Sequence, residues 1–176
     1  LAVAMSESDN PPQEIDGLFL DNIFLTSPLH DIGKVGIPDH ILLKPARLDD
    51  KEFDIMKRHC VIGSETLREA LKRYPKADYL SMSADISRSH HEKFDGTGYP
   101  DRLEGEAIPL SARIVALADV YDALVSKRVY KDAYQHDVAK AIIESEKGKH
   151  FDPMVVEAFL YSEQEFIEIH ERFSDR

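Results

Sequence analysis

Apolar positions recur at intervals of three and four along most of the chain, with neither sustained two-residue alternation nor internal repeats, so the expected fold class is all-α. Residues 16–30 are apolar enough for a buried helix, its last turn bent by Pro28. Asp49-x-x-Glu52 reads as a capping box opening a helix whose inward stripe is Phe53, Met56, Cys60, Gly63, Leu67 and Leu71, with His59 beside it. Residues 76–91 form a further helical stretch. It is ended by the glycine-rich loop Phe94-Asp95-Gly96-Thr97-Gly98-Tyr99-Pro100, which puts His90 and His91 at a helix terminus. Pro109 suits the first turn of another helix, facing inward through Ile114, Leu117, Ala118, Tyr121 and Val125, with Asp119 in its middle. Gly148 closes a helix begun near Asp137, Asp152-Pro153 opens the next, and residues 163–173 form a last amphipathic helix.

The 176 residues suffice for one domain with its own core. Residues 1–15 read as the remnant of an upstream helix and a linker, and residues 16–176 as the domain itself. A single cysteine, Cys60, excludes an internal disulfide framework. No stretch has the roughly 18 apolar residues of a membrane span, and none resembles a signal peptide, so a cytoplasmic location is expected. With 22 Lys and Arg against 33 Asp and Glu, the net charge of −11 argues against duplex nucleic acid as a partner. A small phosphate ester remains compatible if bound metal ions and a few cationic side chains supply local positive charge.

Several residues stand out against that background. Pro28-Leu29-His30-Asp31-Ile32-Gly33-Lys34 sets imidazole, carboxylate and ammonium among apolar neighbours, and polar groups so placed need partners, which metals supply. His59, taken alone, reads equally as a core-edge histidine and as a ligand. His90-His91, followed by Glu92 and Asp95, gives two neutral imidazoles at a helix end able to turn to one ion. Asp119 lies in so apolar a helix that its burial would need a cation, whether a metal or a basic partner such as Arg113.

Taken in order, these stretches resemble the HD-GYP family of the HD phosphohydrolases. The matching segments are His30-Asp31-Ile32-Gly33-Lys34-Val35-Gly36-Ile37-Pro38-Asp39, then Met56-Lys57-Arg58-His59 with Gly63, then His90-His91-Glu92-Lys93-Phe94-Asp95-Gly96-Thr97-Gly98-Tyr99-Pro100. Ile108-Pro109-Leu110, the Asp119 helix, Tyr130-Lys131 and His150-Phe151-Asp152-Pro153 continue the run. Val129 and Ala46 depart from the family's usual proline and glycine, both in connecting segments.

The resemblance implies a multi-helix bundle with a metal site at its centre, and cyclic di-GMP phosphodiesterase activity yielding linear pGpG and, on further cleavage, GMP. It implies that His30, Asp31, His59, His90, His91 and Asp119 ligate two transition-metal ions, iron or manganese. In that pattern Asp31 bridges the two, His59, His90 and His91 serve one, and His30 with Asp119 serves the other. A third metal would need residues from a helix upstream of Leu1. Asp31 and Lys34 are the catalytic candidates, with Lys34 placed to neutralise a non-bridging phosphate oxygen in the transition state. Arg128 and Lys131 match positions that hold the substrate's phosphates. Asp122 stands where it could serve the ligands from outside or meet a guanine edge, and Tyr99 where it either contacts substrate or packs the loop. His40, His136, His150 and His170 have no partner pattern and read as structural or exposed.

Two other readings stay open: an HD phosphohydrolase acting on a different nucleotide, and a non-catalytic module binding a dinucleotide or a protein. The resemblance further implies an upstream receiver or sensor domain and diguanylate cyclase domains as partners.

Overall fold

The computed structural model of the chain describes residues 1–126 and 133–174, and among these it is helical without a named strand. The helices are α1 (Ala2–Ser6), α2 (Gly17–Thr26), α3 (Asp39–Leu42), α4 (Asp50–Arg73), α5 (Tyr79–Ser89), α6 (Leu110–Val125), α7 (His136–Ser145), α8 (Pro153–Tyr161) and α9 (Glu163–Ser174). Short 3-10 turns occupy Ser27–Leu29, Ile32–Gly36 and Gly105–Ala107.

Local chemistry accounts for the helix starts. The Asp16 side chain accepts the Phe19 N–H to open α2. Asp49 and Glu52 exchange both bonds of the expected capping box, at 2.9 and 2.8 Å, to open α4. Asp152 accepts the Met154 N–H at 2.7 Å ahead of Pro153. Gly148 adopts φ +74, a conformation that favours glycine, just beyond α7.

The core gathers around α6, whose Leu110, Ile114, Leu117, Tyr121 and Val125 join Ile86 of α5, Ile143 of α7, and Val155 and Phe159 of α8. Ala2, Ala4 and Met5 of α1 belong to the same cluster. At the other side α4 packs on α5 and on the 3-10 turn Ile32–Gly36. This layer is built on small residues rather than on bulk. An added Cβ on Gly33 would lie 1.9 Å from the His59 carbonyl oxygen, and one on Gly63 would lie 2.3 Å from Ser87 Oγ.

Four expectations are corrected. The helix expected over residues 16–30 ends at Thr26 and continues as a 3-10 turn, because Pro28 has no N–H to carry the α pattern. It is also only half buried: Ile23 and Thr26 face inward, while Leu18, Phe24 and Leu25 are exposed, since α2 packs through one face. Phe53, placed on the inward stripe of α4, is instead 45% exposed and stands edge-on to Tyr99. α5 begins at Tyr79 rather than 76, because Tyr74 and Ala77 are tied in a backbone turn around Pro75.

Candidate active site

The tight seam between Gly33 and α4 sets the 3-10 turn carrying Asp31 directly against His59, and α5 ends so that His90 and His91 meet both. Asp31 is the hub. Its Oδ1 faces His59 Nε2 at 3.4 Å and His90 Nε2 at 3.8 Å, while Oδ2 faces His30 Nε2 at 3.3 Å and Lys34 Nζ at 2.5 Å. His30 Nε2 also lies 3.7 Å from Asp119 Oδ1. The two oxygens of one carboxylate thus look toward two different groups of ligating side chains. The His91 ring joins from the other side, its centroid 4.1 Å from that of His90 and 5.2 Å from that of His59.

The outward hydrogen bonds decide which ring nitrogens face the centre. His30 Nδ1 donates to the Ser27 carbonyl and His59 Nδ1 to the Met56 carbonyl, each at 2.8 Å; His90 Nδ1 donates to the carbonyls of Ile86 and Ser87 at 3.0 and 3.1 Å. A carbonyl only accepts, so in the neutral rings the proton sits on Nδ1 and the Nε2 lone pairs point inward. His59 and His90 then face each other Nε2 to Nε2 at 3.5 Å, beside the Asp31 Oδ1, which is buried without a hydrogen-bond partner. Acceptors converging on acceptors are stabilised by a cation. These residues therefore fit a metal centre.

The electrostatics agree for three of the four imidazoles. Burial pushes the His59 and His91 imidazoles below their ordinary value, and that of His90 down to about 4, keeping them neutral as ligands must be. His30 goes the other way, raised chiefly by its hydrogen bond to Asp31. Burial alone would raise Asp31, but hydrogen bonds from His30 and Lys34 outweigh it and hold the carboxylate well below its usual range.

All six expected ligands thus lie in one cluster. Lys34 joins them through Asp31. The Tyr99 ring lies 4.9 Å from the His91 ring, and its N–H donates to the His91 carbonyl at 3.2 Å. Lys57 Nζ stands 5.3 Å from the Phe53 centroid and 5.9 Å from that of Tyr99. Asp122 is exposed, bonded to Ser126, and lines a separate cavity of about 720 Å³ with Phe166 and His170. Arg128 and Lys131 lie outside the described residues. Of the histidines without a pattern, His136 bridges the Tyr121 hydroxyl and Glu163 at 2.8 and 2.9 Å, and His150 stacks on Phe151.

Two neighbours escaped sequence reasoning. Cys60 Sγ lies 3.4 Å from His59 Nε2 and is fully buried; with His59, His90 and His91 it places ligand atoms within 4.8 Å of one another. Burial pushes its thiol up to about 12, so it is not a ready thiolate. Glu92 is buried beside the ligands, its carboxyl raised by burial, with Oε1 accepting the Asp101 N–H at 2.7 Å and Oε2 unpaired. Its position after two histidines suggests a ligand, and only the fold shows it turned toward a loop.

A helical bundle with a central histidine and aspartate metal site is the class of protein that fold and site define. Residues 11–155 match the HD domain family, and the chain belongs to it. The His-Asp and Gly-Tyr-Pro segments are those of its HD-GYP members. The chain is 54% identical over 157 residues to a cyclic di-GMP phosphodiesterase of Vibrio cholerae, covering 89% of this chain and 32% of that protein. It is 49% identical over 176 residues to a probable cyclic di-GMP phosphodiesterase of the same organism, covering 99% and 40%. The chain therefore spans about a third to two fifths of the length of these relatives. The crystal structure of a cyclic GMP-AMP specific phosphodiesterase of V. cholerae shares the fold, with a TM-score of 0.58 and 22% identity over 88% of this chain and 40% of that one. No helix among the described residues is long and apolar enough to cross a membrane.

Proposed function

We propose that this chain is a metal-dependent phosphodiesterase domain that hydrolyses cyclic di-GMP to linear pGpG. The observation that carries this reading is the ring of inward-facing acceptors around the unpaired Asp31 Oδ1, in a chain so similar to cyclic di-GMP phosphodiesterases. His59, His90 and His91 would hold one transition-metal ion and His30 with Asp119 a second, with Asp31 between them; iron or manganese suits this imidazole and carboxylate set. When bound, such a pair acidifies water to a nucleophile near neutral pH and stabilises the leaving 3′ oxygen.

The chain's own residues do the rest. The backbone carbonyls of Ser27, Met56 and Ile86 fix the three imidazoles in one tautomer, so no ring must turn when the site fills. Lys34, 41% exposed and tied to Asp31, reaches toward solvent where a phosphate would arrive and offsets the charge growing on a non-bridging oxygen. Tyr99 offers a ring beside His91 for a guanine or ribose face. Arg128 and Lys131 would clamp the phosphates.

A cyclic dinucleotide containing adenine is the competing substrate, because the structure sharing this fold is that of a cyclic GMP-AMP specific enzyme. A chromatographic assay of the manganese- or iron-loaded protein against both substrates decides it. Faster conversion of cyclic di-GMP to pGpG supports the proposal. Preference for the mixed dinucleotide, or cleavage of neither, sinks it.

A further inference from the structure

Glu92 is a charged residue that the chemistry above leaves unused, and it is only 2% exposed. Burying a carboxylate is costly, so a position that merely needed filling would favour an apolar side chain. Its surroundings show what it holds. Glu92 Oε1 accepts the Asp101 N–H at 2.7 Å, and the nearby backbone amides of Arg102 and Leu103 favour the charged carboxylate. Arg102, directly after that bond, sits at φ 57, the left-handed conformation few side chains adopt.

The other end of the same loop presses on the same residue. A Cβ on Gly98 would stand 2.5 Å from Glu92 Cα and 2.3 Å from Lys93 N, so the chain here lies flat against the backbone that follows the histidine pair. Between these two contacts sits Tyr99, bonded to the His91 carbonyl. From outside, Arg88 grips Asp101 with two bonds of 2.6 and 2.8 Å.

We infer that Glu92 is a positioning residue: its buried carboxylate draws the turn at 101–103 inward and thereby sets the Tyr99 ring beside His91, where the dinucleotide would rest. This rests on the reading of Tyr99 as a substrate contact.

The test uses manganese-loaded full chain, with Glu92→Ala, Glu92→Gln, Tyr99→Ala and the Glu92→Ala/Tyr99→Ala pair. Metal per chain, hydrogen exchange of 98–103, and KM and kcat for cyclic di-GMP are read on each. In Glu92→Ala, exchange of 98–103 should quicken, metal content hold, and KM rise about tenfold with kcat changed less than about threefold, the pattern of lost substrate placement. Gln keeps the accepting oxygen and should restore KM to within about threefold of wild type. The double variant should be no worse than Tyr99→Ala. Should Glu92→Ala fail to fold, Glu92→Asp, one methylene too short to reach the Asp101 N–H, should show the same pattern in weaker form.

Loss of metal in Glu92→Ala, unaltered exchange of 98–103, or multiplying effects in the double variant would overturn the proposal. So would an unchanged KM in Tyr99→Ala, with turnover intact. If wild type fails to turn over cyclic di-GMP, the phosphodiesterase reading falls instead, and exchange alone then supports or overturns the hold of Glu92 on its loop.

Discussion

Replacing Gly33 by Ala tests the seam on which the site is built. The new Cβ would lie 1.9 Å from the His59 oxygen, 2.5 Å from Gly63 N and 2.9 Å from the His59 carbonyl carbon, where real Cβ atoms essentially never come within 3.0 Å. All three obstacles are backbone, so no rotamer change relieves them, and the turn must back away by about 1.5 Å to restore ordinary contact. Over-packing of this kind costs about 1–3 kcal/mol, and the absence of side-chain relief places it at the upper end. For a domain of this size that is a fall in Tm of roughly 6–12 °C. Because Asp31 moves with the turn, its 3.4 Å approach to His59 lengthens, and turnover should drop about 10²-fold. Thermal unfolding of the metal-free protein by circular dichroism, beside an activity assay, measures both. Gly17→Ala is the control: a Cβ there meets nothing within 4 Å, and stability should change by less than about 1 kcal/mol. A Gly33→Ala protein that melts within 2 °C or so of wild type and keeps its activity would refute this account of the seam.

Acidification should destabilise the metal-free protein. The His90 imidazole is held at about 4 in the fold against 6.5 unfolded, so between these values the unfolded chain binds more protons and stability falls as pH falls. From pH 8 to pH 5 that one group removes about 2 kcal/mol; His59 and His91 act in the same direction, while His30, raised in the fold, opposes them. Urea midpoints of chelator-treated protein at the two pH values should show the fall and a His90→Asn variant a shallower one; a flat profile contradicts it. Arg113→Ala should cost about 3–5 kcal/mol, because it strands the buried Asp152 carboxylate that Arg113 pairs while also bonding the Ile108 carbonyl. A loss under about 1 kcal/mol in denaturant unfolding would show that Asp152 is satisfied by its N-cap bond alone.

The helices were legible wherever periodicity and capping chemistry agreed: Asp49 with Glu52, Asp152 with Pro153, and the α6 stripe were all readable in advance. The segment around Pro28 was readable as a bend but not as a 3-10 turn. Exposure of Phe53 was not readable either, since periodicity gives the spacing of a face and not what covers it. The gathering of His30, Asp31, His59, His90, His91 and Asp119 came from motif order. No spacing within a single helix joins residues from four segments. Glu92 was hidden for the same reason, its partner, the Asp101 N–H, being set by how the loop folds back.

The most direct test of the central claim is the metal content of protein purified without chelator and loaded anaerobically with iron or manganese, compared with Asp31→Ala. About two ions per chain are expected of a site that holds a pair, falling sharply when the carboxylate facing both ligand groups is removed. No bound metal after loading, or the same content in Asp31→Ala, would contradict the claim.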